Sequence, residues 1–148
     1  MREASRRLLD NPILDALNQA SRDVARVVEP SVVHVSTAGV TRGRGGSRGF
    51  ASSGSGWIWD DLGHIVTNAH VVDGASTIEV QLFDGSRREA TLVGMELRAD
   101  VAVLRIPSGG LMPAQRSSDE PRQGELVFAF GSPFDFRFSV SSGIVSGV

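Results

Sequence analysis

Cysteine, lysine and tyrosine are absent from this chain of 148 residues, and the first two absences each remove a class of chemistry. Without cysteine there is no thiolate nucleophile, no disulfide and no cysteine-based zinc site. Without lysine there is no Ser-Lys dyad, no Schiff base and no P-loop lysine, and all 15 basic residues are arginine. The side chains that remain for proton transfer are histidine and the carboxylates, and the remaining hydroxyl nucleophiles are serine and threonine.

Neither the charge nor the apolar runs of the chain are extreme. A net charge of −2 with 41% hydrophobic residues is typical of a globular domain and gives no basic surface for nucleic acid. No apolar run approaches the ~20 residues of a membrane helix. The first seven residues are mostly polar and no secretory apolar region follows them, which leaves a cytoplasmic location open. We therefore expect no nucleic-acid partner and no membrane span.

One amphipathic helix is predicted at the N-terminus, within residues 1–29. Asn11 suits the N-cap position, Pro12 suits the first helical position, and Pro30 ends the pattern. Apolar side chains recur at three- and four-residue spacing at Leu14, Leu17, Ala20, Val24, Val27 and Val28. We expect this apolar stripe to pack against the barrel described below or against another subunit, rather than to lie on a membrane surface.

After Pro30 the apolar pattern changes from a helical period to a period of two. Val33 and Val35 alternate with His34, which predicts a strand with the histidine on the opposite face. Further strand candidates, separated by Gly- and Asp-rich turns, are residues 55–59, 64–67, 77–83, 88–95, 101–107, 125–130 and 139–148. Short strands at this spacing predict an all-β barrel preceded by an N-terminal α-helix.

Residues 39–55 are rich in glycine and arginine and contain little to bury. This composition predicts an exposed surface loop. A phosphate-binding or RNA-binding role is not favoured, because no strand-loop-helix context surrounds the segment.

Two short segments carry candidate residues of a hydrolytic site. Thr67-Asn68-Ala69-His70-Val71-Val72 supplies a histidine, and thirty positions later Asp100 opens an apolar run. A histidine that takes a proton from serine needs an acid partner to hold its tautomer and to stabilise the imidazolium. Either residue alone is weak evidence for a catalytic site. The ordered series of segments around them is stronger evidence. In chain order the segments are Ser53-Gly54-Ser55-Gly56-Trp57-Ile58, Gly63 to Val72, Asp100 to Ile106, Gly131-Ser132-Pro133-Phe134 and Ser142-Gly143-Ile144-Val145-Ser146.

This series resembles the HtrA/Deg family of trypsin-like serine proteases, from about Val24 to the last residue. The resemblance implies that His70 is the general base, that Asp100 is its orienting acid, and that no cofactor or metal is needed. It also implies a trypsin-like fold, with a complete first six-stranded β-barrel at residues 30–113 and a second barrel only begun in residues 114–148. By the same resemblance the substrates are unfolded polypeptides, the protein forms a trimer, and it works in the cell envelope or periplasm.

No Gly-x-Ser-Gly-Gly or comparable nucleophile segment occurs in the chain. We therefore expect it to be the N-terminal portion of a serine endopeptidase, to carry the His and Asp of the triad without the Ser, and to be inactive alone. A pseudoprotease, or a binding and assembly module with the same barrel, is the alternative. Intact His70 and Asp100 favour the protease, because a module freed from catalysis has no chemical need for the pair.

The other two histidines are expected to be outside the active site. His34 is predicted to be structural or solvated, and His64, directly after Gly63 at a strand start, is predicted to flank a turn. A metal site is not expected, since His64 and His70 are separated by a strand and a turn and do not present ligands on one face.

Overall fold

The computed structural model describes residues 11–43, 46–132 and 139–147. This part of the chain contains one long helix, α1 (Pro12–Val28), a 3₁₀ turn (Glu29–Ser31) and one short helix, α2 (Ala69–Val72). Its strands are β1 (Val32–Gly43), β2 (Gly46–Ile58), β3 (His64–Thr67), β4 (Thr77–Gln81), β5 (Arg87–Glu89), β6 (Thr91–Glu96), β7 (Val101–Arg105), β8 (Leu126–Gly131) and β9 (Ser139–Ile144). The predicted mostly β fold with an N-terminal helix is confirmed.

The first seven strands form one antiparallel sheet that curls back on itself. Their order is β5-β4-β1-β2-β3-β7-β6, so the two ends of the sheet are β5 and β6. Those two strands are separated along the chain by Ala90 alone, whose N–H donates to the carbonyl oxygen of Ile78 at 2.9 Å. The continuous stretch from β5 to β6 therefore pairs with β4 through β5 and with β7 through β6. This brings the two ends of the sheet together, as in a barrel.

Alternating side chains of these strands fill the interior. The fully buried residues include Val33, Val35, Ile58, Ile65, Val80 and Leu104. Because successive strand residues point to opposite faces, β3, β4 and β7 each place every second residue in this core. Burial of such aliphatic side chains is worth about 1.5–3 kcal/mol each, which makes this interior the main source of stability.

The glycine- and arginine-rich segment at residues 39–55 is a β-hairpin, and its prediction as a surface loop is wrong. The register between β1 and β2 runs without interruption from Val32 opposite Trp57 to Gly43 opposite Gly46. Backbone N–H and C=O groups make these ladder bonds whatever the side chains are, so a segment without an alternating apolar pattern still pairs. The two residues between the strands lie outside the described part of the chain.

Helix α1 begins as predicted at its N-cap. The side-chain oxygen of Asn11 accepts hydrogen bonds from the backbone N–H groups of Ile13 at 2.9 Å and Leu14 at 3.4 Å. The helix buries no residue completely, and Ile13 and Val27 are 71% and 66% exposed. Val24 and Val28 of the apolar stripe are partly buried while Leu14, Leu17 and Val27 are exposed, so the predicted packing against the barrel or another subunit stays a prediction. Neither described helix is long and apolar enough to cross a membrane.

The second sheet consists of β8 and β9, and Ser132, directly after β8, attaches it to the barrel. Its backbone N–H donates to the hydroxyl oxygen of Ser55 at 2.8 Å, and its carbonyl oxygen accepts from Nδ1 of His34 at 2.5 Å. His34 and Ser55 are opposite each other in the β1–β2 register, so one cross-strand pair holds both backbone groups of Ser132. His34 is 7% exposed, which makes it a structural rather than a solvated residue.

Candidate active site

His70 lies on α2, directly after β3 ends at Thr67. Ala69, Val71 and Val72 of this helix are buried in the core, whereas the His70 side chain is 69% exposed. A Cβ atom on Gly54 would lie 2.5 Å from Cγ2 of Val71, so the close approach of α2 to β2 requires glycine at position 54. The core thus fixes the helix while its one polar side chain points outwards.

Asp100 is the last residue of the turn that joins β6 to β7. Its backbone N–H donates to the carbonyl oxygen of Leu97 at 3.3 Å. Its φ angle is +53°, and among the described residues it is the one non-glycine with a positive φ. Aspartate is among the residues that tolerate this region best, yet a non-glycine residue there costs on the order of 1–3 kcal/mol. The surrounding contacts therefore have to hold this conformation.

The imidazole of His70 and the carboxylate of Asp100 form a close pair. Nδ1 of His70 lies 2.8 Å from Oδ2 and 2.9 Å from Oδ1 of Asp100. A carboxylate only accepts hydrogen bonds, so in neutral His70 the proton is on Nδ1 and the lone pair is on Nε2. The structure thus presents Nε2 to solvent as a proton acceptor, because no described residue hydrogen-bonds it.

Three further hydrogen bonds fix Asp100 relative to the histidine. The backbone N–H of His70 donates to Oδ1 at 3.0 Å. The side-chain amide of Asn68 donates to Oδ2 at 3.1 Å and to the backbone carbonyl oxygen of Asp100 at 3.2 Å. Asn68 is the one residue of this cluster to which the sequence analysis assigned no role.

The hydrogen bonds also determine the charge of Asp100. The bond from the backbone N–H of His70 is the largest influence and lowers the pKa of the Asp100 carboxyl below its usual value. Partial burial acts in the opposite direction, and the side chains of His70 and Asn68 add to the lowering. Asp100 is therefore ionised at neutral pH, as an orienting acid and a counterion for imidazolium must be.

A second His-Asp pair in the chain has a different arrangement. Nδ1 of His64 lies 2.7 Å from Oδ2 of Asp60, and the guanidinium of Arg105 donates to Nε2 of His64 at 3.0 Å. Both ring nitrogens are thus occupied, and the His64 side chain is only 27% exposed. His64 lacks the free acceptor of His70 and serves to fix the turn between β2 and β3.

The carboxylate of Asp60 anchors this turn. Partial burial raises the pKa of Asp60, and hydrogen bonds from the side chain and backbone of His64 lower it by more, so the net shift is downward. Oδ1 accepts from the backbone N–H groups of Leu62 and His64 at 3.1 and 3.0 Å. This confirms the turn-flanking position predicted for His64.

A hollow of about 430 Å³ lies next to the His70–Asp100 pair, between the barrel and the second sheet. Its lining includes Trp57, Val66, Asn68, Asp100, Val101 and Phe130. Apolar groups form most of its wall, and the hollow is open to solvent. Within the described ranges no cluster of three or more metal-binding side chains occurs.

The sequence is similar to a peptidase family and to individual serine proteases. The trypsin-like peptidase domain family matches residues 54–148. Serine protease HTRA4 of Homo sapiens is 46% identical over 130 residues, which are 83% of this chain and 27% of that protein. The periplasmic serine endoprotease DegP of Escherichia coli (strain K12) is 42% identical over 114 residues, which are 72% of this chain and 24% of that protein.

A solved structure agrees with these sequence relatives. The crystal structure of the serine endoprotease from Yersinia pestis matches with a TM-score of 0.72 and 34% sequence identity. The match covers 85% of this chain and 44% of that chain. The chain thus spans about a quarter of the length of the two curated relatives and less than half of the solved one.

Proposed function

The chain belongs to the trypsin-like peptidase domain family, in its HtrA/Deg branch, and we propose that it is the part of a serine endopeptidase that carries the general base and its orienting acid. In this proposal His70 is the base and Asp100 is the acid. The observation that carries the proposal is the His70–Asp100 hydrogen bond, which leaves Nε2 unprotonated and exposed.

The proposed reaction is peptide-bond hydrolysis through an acyl-enzyme. Nε2 of His70 takes the proton of a serine hydroxyl as its oxygen attacks the peptide carbonyl carbon, and the Asp100 carboxylate stabilises the resulting imidazolium. The imidazolium then gives the proton to the leaving amine as the C–N bond breaks. Water attacks the acyl ester in the second half of the reaction, with His70 again as the base.

The serine is the member of the triad for which the chain offers no candidate. The 148 residues contain no Gly-x-Ser-Gly-Gly segment, and no serine hydroxyl among the described residues hydrogen-bonds Nε2 of His70. We therefore propose that the chain does not hydrolyse peptide bonds by itself.

Substrates and location follow from the relatives and are part of the proposal. The relatives are named serine protease and serine endoprotease, which supports polypeptides as substrates, and unfolded ones are the class that the HtrA/Deg resemblance implies. The bacterial relative is named periplasmic, which supports a place in the cell envelope. From the same resemblance we propose a division into a helix (1–29), a first barrel (30–113) and the beginning of a second barrel (114–148). We also propose assembly as a trimer.

A serine-directed fluorophosphonate probe tests the proposal. The purified 148-residue chain should remain unlabelled, whereas the product of the complete reading frame that contains it should be labelled. In that longer product H70A should abolish the labelling and H64A should preserve it, because His64 has no free ring nitrogen. Labelling of the short chain, or equal labelling of the H70A product, would overturn the proposal.

A further inference from the structure

Asn68 occupies the N-cap position of α2 but does not cap it. Its backbone is extended, with φ −80° and ψ 141°, as an N-cap residue requires, yet its side chain accepts no hydrogen bond from the helix. Asn11 at the start of α1 has the same residue type in the same position and makes two capping bonds. The amide of Asn68 is therefore used for something other than helix capping.

Both observed bonds of the Asn68 amide go to a single residue. Nδ2 donates to the carboxylate oxygen Oδ2 and to the backbone carbonyl oxygen of Asp100, 32 positions further along the chain. The first bond restricts rotation of the Asp100 carboxylate. The second holds the backbone at the residue whose positive φ is unfavourable for a side chain.

We propose that Asn68 is a positioning residue that holds Asp100 in the orientation in which its carboxylate meets Nδ1 of His70. This role rests on the proposed function of the His70–Asp100 pair and adds a residue to it. Both hydrogen bonds of the Asn68 side chain go to Asp100, so in this proposal Asn68 acts on the His70 ring through Asp100.

Asp100 needs a positioning residue because its side chain is partly exposed to solvent. The Asp100 side chain is 43% exposed, so water competes for its oxygens and the carboxylate is free to turn unless several donors hold it. His70 supplies two of these donors, its backbone N–H and its ring. Without Asn68 the backbone N–H of His70 would still hold Oδ1, but Oδ2 would be held only by the ring that it is supposed to orient. A donor outside the pair removes this circularity.

The tautomer of His70 is the measurement that tests the role. In the ¹⁵N-histidine-labelled chain, at a pH high enough for the His70 ring to be neutral, nitrogen chemical shifts should report its proton on Nδ1. N68A should shift a large part of the population to the Nε2-protonated form. N68L, which keeps a branched side chain of similar size and removes the donor without adding charge, should do the same. His64, whose proton is held by Asp60, should keep its signals and shows that each variant is folded.

Two further variants distinguish the role of Asn68 from the role of the His70–Asp100 pair. N11A removes an N-cap of the same chemistry, so it should lower stability and leave the His70 tautomer unchanged. D100N should abolish the Nδ1 preference. If D100N changes the tautomer while N68A and N68L do not, the role of Asn68 is overturned and the proposed function stands. If D100N also leaves the tautomer unchanged, the pair does not orient His70 and both proposals fail.

Discussion

The buried ring of His34 donates a hydrogen bond to the backbone carbonyl oxygen of Ser132, 98 positions away, and thereby ties the second sheet to the barrel. Ser55, opposite His34 on the neighbouring strand, accepts from the N–H of the same residue. Ser132 is 4% exposed, so little water is available to replace either bond. Both backbone groups of the residue that follows β8 are thus bonded to the barrel.

Replacement of His34 by alanine should destabilise the chain and loosen this attachment. The carbonyl oxygen of Ser132 would lose its partner while still buried, which costs about 1–3 kcal/mol. Urea unfolding measures the loss, and hydrogen exchange at the Ser132 amide should become faster. S53A is the matched control, since Ser53 is exposed on β2 and makes no side-chain bond in the described structure. An H34A chain as stable as S53A would contradict the role of the bond.

The G54A substitution should disturb α2 and the position of His70. The new Cβ would lie 2.5 Å from Cγ2 of Val71, and overpacking of this kind costs about 1–3 kcal/mol. Equilibrium unfolding in urea measures the effect. G94A is the control, because a Cβ there has no atom within 4 Å and the change should stay within about 0.5 kcal/mol. Equal effects of the two substitutions would argue against a tight contact between α2 and β2.

Acid should destabilise the fold through Asp60 and Asp100. Both carboxyls have a pKa below the usual 3.8 in the folded chain, so protons bind more tightly to the unfolded state. The stabilisation is complete well above the unfolded value of 3.8 and is lost as pH falls below it and through the folded pKa. The unfolding free energy measured from pH 7 to pH 2 should therefore fall.

Single substitutions identify the residues behind this pH dependence. D60N and D100N should each reduce the slope of stability against pH below about pH 5, since each removes one carboxyl with a lowered pKa. A slope that D60N and D100N do not alter would assign acid sensitivity to other groups.

The barrel and the pairing of His70 with Asp100 could be predicted because both leave a signal in the sequence. Alternating valines mark β1, and β3 was predicted with the bounds that the structure has. The roles of His70 and Asp100 were implied by the HtrA/Deg resemblance of the segments around them, and the structure brings their side chains to 2.8 Å. The strands thus depend on a local pattern of side chains, and the pair depends on the resemblance.

The features that escaped prediction depend on backbone pairing or on distant partners. The hairpin through residues 39–55 is made of small and polar residues, so its ladder leaves no apolar period. His34 finds its partner far along the chain, and no local pattern indicates that contact. Asn68 and Asn11 are alike in type and position, and only the nearby Asp100 makes their roles differ.

The most direct test of the account is the effect of H70A on kcat in the product of the complete reading frame, with unfolded casein as substrate and H64A as the matched control. The account predicts that H70A lowers kcat by about 10⁶-fold, as loss of a triad histidine does, while H64A retains wild-type turnover to within a small factor. An H70A protein that hydrolyses casein at the wild-type rate would contradict it.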